Sequence, residues 1–274
     1  MESHRQTTAA RLVPALAVLG PDLLHLPAWR RWTAVALPFL CCGAYFLCAW
    51  LGWWPAAVFA VVVLSFVTYG STSHDLVHRS LGLSRVANDF FLCVIELLTL
   101  RSGHAYRAAH LHHHARFPHP DDIEATAARK SWLGAIAEGP AFQLRLWLWA
   151  VRHASSARAW IIGEGVACLA LGGLTVALWP MTPIPLVYVV LVILGSWPIP
   201  LVTSYVPHDP DGSDDLAQTR AFRGVIAAVI ALRHLYHLEH HLYPAVPHQH
   251  WPELARRLDP YLARAGVKPV KFWF

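Results

Sequence analysis

Apolar residues gather into four long runs with almost no polar interruption. The first pair lies at about Trp32–Leu51 and Pro55–Ser73, parted by Gly52-Trp53-Trp54. The second lies at about Ala159–Trp179 and Pro183–Val206, parted by Pro180-Met181-Thr182. Each run is about 19–24 residues, enough for a helix to cross a hydrocarbon core of about 30 Å. The pattern predicts two helical hairpins that span a membrane. Elsewhere the apolar segments are shorter. Val86–Leu100 is too short to span and carries Asp89 and Glu96, and Ser131–Val151 is amphipathic and rich in Trp. Both suit helices lying on or dipping into the membrane interface. Ala221–Leu232 predicts another short apolar helix, and Trp251–Gly266 a soluble amphipathic helix with Pro252 in its first turn. The apolar stretch Leu12–Gly20 is interrupted by Pro14 and followed by Pro21, so it predicts an interfacial or loosely ordered arm rather than a signal peptide.

These elements predict one all-α integral membrane domain over residues 1–274. Its parts are an arm (1–31), a hairpin (32–73), a cytoplasmic segment (74–158), a second hairpin (159–206) and a cytoplasmic helical cap (207–274). Composition agrees: 55% of residues are hydrophobic, 14% are charged, and the mean hydropathy is +0.38. Disorder and most soluble classes are excluded. The net charge of +5 invites a nucleic-acid partner, but the basic residues follow the runs instead. None lies between Trp32 and His78 or between Ala159 and Thr219. Arg30, Arg31, Arg79, Arg152, Arg158, Arg220 and Arg223 flank the same ends of the spans, which places those ends and both termini on the cytoplasmic side. Trp32 and Trp160 at these ends, and Trp53, Trp54 and Trp179 at the opposite turns, suit an interfacial aromatic belt. The five Cys lie in apolar runs without CxxC spacing and read as buried hydrophobes.

The histidines add chemistry. His74 and His78 are four apart, where the second predicted span ends. On a helix they stack on one face. His110, His113 and His114 form an HxxHH pattern, which His237, His240 and His241 repeat, and His208 stands at the end of the fourth span. Topology puts all nine at one depth on one side. That is too many donors for one metal ion and suits two. Neutral nitrogen donors favour iron, zinc, copper or nickel over magnesium or calcium. No HExxH supplies the usual general base of a zinc peptidase.

Three histidine boxes in this order, after paired spans, resemble those of the membrane fatty acid desaturase superfamily, which includes acyl desaturases and carotenoid hydroxylases and ketolases. The resemblance runs from about Trp32 to the C-terminus, and His237-Leu238-Glu239-His240-His241-Leu242-Tyr243-Pro244 is its closest stretch. It implies four spans, a cytoplasmic cap and two iron ions. It also implies an enzyme that uses O2 and two electrons to attack a lipid C–H bond. His74 and His78 match box one; His110, His113 and His114 box two; His237, His240 and His241 box three. His208 fits the family's additional ligand, with Ser204 where some members have Asn. Asp75 and Glu239 lie inside boxes one and three, where a carboxylate either accepts the second ring N–H of a metal-bound imidazole or stays solvated. Asp121, Asp122 and Glu124 follow box two with the same options or as partners for Arg. Glu164 lies in the third span, near enough to its end to reach water. His104, His112, His119, His234, His248 and His250 fall to supporting or solvated roles, with His234 the nearest reserve ligand.

Hydroxylation, desaturation and ketone formation share these boxes. Tyr205-Val206-Pro207-His208 resembles the Tyr-x-Pro-His element of carotenoid ketolases, and the chain is short for an acyl desaturase. A carotenoid ring hydroxylase or ketolase is therefore favoured. An acyl-lipid or acyl-CoA desaturase or hydroxylase is the alternative, and a non-enzymatic membrane metal-binding protein the distant one. No GxGxxG fingerprint is present, so a ferredoxin or cytochrome b5-type donor is implied. Arg101, Arg107, Arg116, Arg129 and Lys130 offer a basic face for it or for anionic headgroups.

Overall fold

A computed structural model describes residues 13–224 and 233–271. The fold is mostly helical, and four helical stretches are long and apolar enough to cross a membrane: Pro21–Trp50, Trp54–His78, Ser155–Ala177 and Ile184–Tyr205. These are spans 1 to 4. The α-helix of span 1 begins at Ala28, where Trp29, Arg30 and Arg31 continue it beyond the apolar run toward the interface, and the 3-10 turn Pro21–Leu24 before it belongs to the N-terminal arm. Spans 1 and 2 turn on Leu51–Trp53, where Gly52 takes φ +75°, a value that a side chain would strain. Pro55 and Pro185 sit in the first turns of their helices, where a missing N–H costs nothing.

Spans 1, 2 and 4 pack through Cys41, Tyr45, Ala57, Val61, Leu64 and Val192. Two tyrosines tie span 4 to its neighbours. Tyr45 Oη donates to the Ile184 carbonyl and Tyr188 Oη to the Leu98 carbonyl, each at 2.7 Å. Leu40, Phe59, Val166 and Leu169 are exposed, as suits helices solvated by lipid tails. Near their histidine-bearing ends spans 2 and 4 each loosen into one π-helical stretch, Thr68–Thr72 and Leu201–Tyr205. Such bulges are rare and recur at functional sites.

The short apolar segment forms the helix Arg85–Leu98, capped by Ser84, whose hydroxyl accepts from the Ala87 N–H. Box two lies on the helix Gly103–Arg116, capped in the same way by Ser102. Ser131–Val151 divides into helices Trp132–Ala137 and Gly139–His153. Most of the helix expected over Ala221–Leu232 lies outside the described residues. Its start, Phe222–Arg223, instead pairs in parallel with Val270–Lys271. The amphipathic helix runs from Trp251 to Arg264.

The described part of the N-terminal arm, from Val13 on, is more ordered than expected. A helical turn at Leu16–Leu19 and a 3-10 turn at Pro21–Leu24 dock on the C-terminal helix. Leu19 and Leu23 are buried with Trp251, Leu254 and Leu258. Arg257 reaches both Asp22 and the Leu19 carbonyl, and Tyr243 Oη donates to the Pro14 carbonyl. The arm is therefore a clasp, because its leucines have an apolar partner that the linear pattern does not reveal.

Candidate metal centre

The nine candidate histidines converge from four separate segments. His74 and His78 arrive at the end of span 2 and His208 just beyond span 4. Box two lies on Gly103–Arg116 and box three on the short helix His237–Leu242. Their rings sort into two groups, His74, His78, His110 and His240 in one and His113, His208, His237 and His241 in the other. Within each group the candidate donor atoms lie within 4.8 Å of one another. His114 joins the first group, its Nε2 at 2.7 Å from His240 Nε2 and 3.2 Å from His110 Nε2.

Spacing and tautomers both suit metal. In the second group, His208 Nε2 stands 3.1 Å from His241, 3.2 Å from His113 and 3.2 Å from His237. Nitrogens bound to one ion at about 2.0–2.1 Å stand roughly 2.8–3.4 Å apart in tetrahedral or octahedral arrays. Hydrogen bonds behind the rings turn the Nε2 lone pairs inward. His113 Nδ1 donates to Asp122 at 2.7 Å, His110 Nδ1 to Glu124 at 3.0 Å, and His208 Nδ1 to the Ser204 carbonyl at 2.9 Å. With the proton on Nδ1, Nε2 is free to ligate. Burial first, and then the neighbouring rings, hold the pKa values of His114, His208, His237, His240 and His241 well below the ordinary imidazole value. These are neutral donors at neutral pH. Burial also opposes the His113 cation, but Asp122 and then Glu124 outweigh it and raise the His113 pKa.

The carboxylates differ in part from expectation. Asp122 and Glu124 hold site histidines, whereas Asp75 and Glu239 reach no cluster ring among the described residues. Asp75 Oδ2 accepts from His248 Nδ1 at 2.6 Å, which fastens box one to the turn before the C-terminal helix. Glu239 pairs with Arg223 at 2.7 Å. Both are fully buried rather than solvated. Their side chains leave the helix away from the histidines beside them, so sequence adjacency does not become contact.

Glu164 is also buried, not wet. It accepts from Ser102 Oγ at 2.6 Å and from the backbone and ring of His104, at the N-terminus of the box-two helix. There a negative charge meets the positive end of the helix dipole. Arg101 is withdrawn from any basic docking face: it is buried against Glu96 and donates to Thr68. Ser204 Oγ accepts from the Ala128 N–H and braces the segment before His208.

Two aromatic walls escaped the sequence. Trp251 is fully buried, its ring centroid 5.4 Å from His74 and 5.2 Å from His240. Phe117 lies 4.6 Å from His208. Both help to exclude water from the clusters. Of the remaining histidines, His112 packs on Trp149, His119 pairs with Asp121, and His250 hydrogen-bonds the Leu23 carbonyl.

The fatty acid desaturase family model matches residues 48–273, a stretch that includes every cluster histidine. No individual curated protein matches the chain.

Proposed function

Because the chain belongs to the fatty acid desaturase family, we propose that it is a membrane-bound di-iron oxidoreductase that oxidises a C–H bond of a carotenoid-type ring with O2 and two electrons. The observation that carries this is the sorting of the histidine side chains into two nitrogen-donor groups built from shared motifs. Iron bound in both groups would pass electrons to O2 and supply the oxidant needed to attack an alkyl or allylic carbon.

The protein's own part is orientation and exclusion. Asp122, Glu124 and the Ser204 carbonyl hold three rings with their Nε2 lone pairs inward. Trp251 and Phe117 keep bulk water away. Asp75, through His248, holds the box-one end of span 2 against the C-terminal segment. The membrane delivers the lipid, and an external ferredoxin or cytochrome b5-type protein delivers electrons. The arginines flanking the spans support a cytoplasmic location for the centre.

The resemblance of Tyr205-Val206-Pro207-His208 to the Tyr-x-Pro-His element of carotenoid ketolases supports the carotenoid ring, hydroxylated or ketolated. An acyl substrate has one observation in its favour. A cavity of about 730 Å³ between span 1 and the C-terminal segment carries Arg30 and Arg233, a fit for an anionic head. Mass spectrometry of lipid extracts from a β-carotene-producing bacterial host, co-expressing a ferredoxin donor, separates the two. Carotene that gains oxygen supports the proposal. Unchanged carotene beside acyl chains two hydrogens lighter replaces it with a desaturase.

A further inference from the structure

His234 stands apart from both clusters. It is 5% exposed, neither ring nitrogen closes a hydrogen bond with a side chain among the described residues, and the Gly70 backbone lies against the ring. Its ring centroid lies 4.9 Å from that of His237, at the edge of the second group. Gly70 gives the ring its seat, since a Cβ there would stand 3.0 Å from His234 Nδ1.

The same ring lines a cavity of about 270 Å³ between spans 2 and 4. Val62, Phe66 and Tyr69 form one wall, and Pro198, Ile199 and Val202 the other. Val62 and Phe66 are exposed on a membrane-spanning helix, so the mouth faces hydrocarbon rather than water. Tyr69 and Ile199 are buried, and His234 at the same lining lies beside His237 of the second group. The His234 imidazole meets His237 on one side and lines the cavity on the other. It offers one N–H and one lone pair. That pairing matches a hydroxyl or carbonyl, and among the described residues no Arg or Lys lines the cavity to meet a carboxylate or phosphate.

We propose that this cavity is the port through which a hydrocarbon enters from the bilayer, and that His234 hydrogen-bonds a neutral oxygen on it, a hydroxyl or carbonyl, beside the second cluster. The inference deepens the function proposed above and rests on the substrate being a lipid. A ring that already carries one oxygen would be held in register by this contact, whereas an anionic acyl head would not.

The test is photolabelling of the purified full-length protein in lipid nanodiscs with a long-chain alcohol bearing a diazirine, with labelled peptides mapped by mass spectrometry. Label should concentrate on residues 62–70 and 195–203. Dodecanol should compete about tenfold better than dodecane, the effect of one neutral hydrogen bond. His234→Phe should keep the labelling site and abolish the preference, and His234→Gln, which retains a donor and an acceptor, should restore part of it. Label concentrated on residues 29–37 and 248–252 overturns the port. An unchanged alcohol preference in both variants overturns the role of His234. If carotene is not oxidised while this labelling pattern holds, the substrate falls and the port stands. If carotene is oxidised and the label lies elsewhere, the port alone falls.

Discussion

His113 and His240 hold the same place in their motifs, the fourth residue of HxxHH, yet each turns away from its motif partners to the opposite cluster. His110 and His114 serve the first group while His113 crosses to the second. His237 and His241 serve the second while His240 crosses to the first. Helix geometry explains the split: residue i+4 lies about 40° to one side of residue i, and residue i+3 about 60° to the other. Each box therefore straddles both groups, and neither group forms without both boxes.

This exchange predicts selective losses. Asp122→Asn should weaken metal in the second group, and Glu124→Gln in the first, each by about 10–100-fold in affinity. Titration with Fe(II), followed by elemental analysis after desalting, should give close to one ion per chain for either variant and near two for the parent protein. Two tightly held ions in both variants would refute the assigned orienting roles.

Metal removal should loosen the whole histidine-bearing end. The groups join span 2, the segment after span 4, the box-two helix and box three. An ion bound at 1,000 times its Kd stabilises by about 4 kcal/mol, which for a chain of this size is roughly 10 °C in Tm. Chelated protein should melt that much lower in a detergent thermal-shift assay and recover with added Zn(II). An unchanged Tm would mean that the donors are not bridged by an ion.

Glu164→Ala should be costly although Glu164 touches no cluster histidine. It leaves Ser102 and both donors of His104 unpaired at the start of the box-two helix. Breaking a buried pair of this kind costs about 3 kcal/mol or more. The double variant with His104→Ala should lose less than the sum of the single losses. Equilibrium unfolding of the four proteins gives the coupling, and strict additivity would deny it.

The clasp between arm and C-terminal helix predicts a third kind of effect. Leu23 is 1% exposed against Trp251 and its neighbours. Leu23→Ala should destabilise by about 2–5 kcal/mol. Hydrogen exchange should quicken along residues 251–264 and leave span 4 unchanged. Uniform exchange across the chain would show that the clasp is not a local unit.

The spans and boxes were legible because each rests on local spacing: length and hydropathy for the spans, helical phase for the boxes. Long-range partners were not. Nothing within Ser73–His78 tells that Asp75 meets His248 across the fold. Glu164 looked half-wet because only its depth along span 3 was visible, not the Ser102 and His104 donors waiting there. Trp251 read as the start of an amphipathic helix, and its role as a wall needed the third dimension. For His110, His113 and His114 a helical wheel shows angles and not which side of a partner each will pass.

The π-helical stretches at the ends of spans 2 and 4 have one more effect. An i→i+5 turn takes in an extra residue, which rotates the chain beyond it by about 100° relative to an uninterrupted α-helix. His74 and His208 each come after such a turn. Their aim is thereby decoupled from the phase of the helix surface that lipid sees. A sequence can drift on its greasy side, answering to bilayer thickness or to a bulkier guest, without re-pointing its imidazoles. Deleting a single residue from either stretch would undo that independence and swing a correctly placed histidine toward the wrong neighbour.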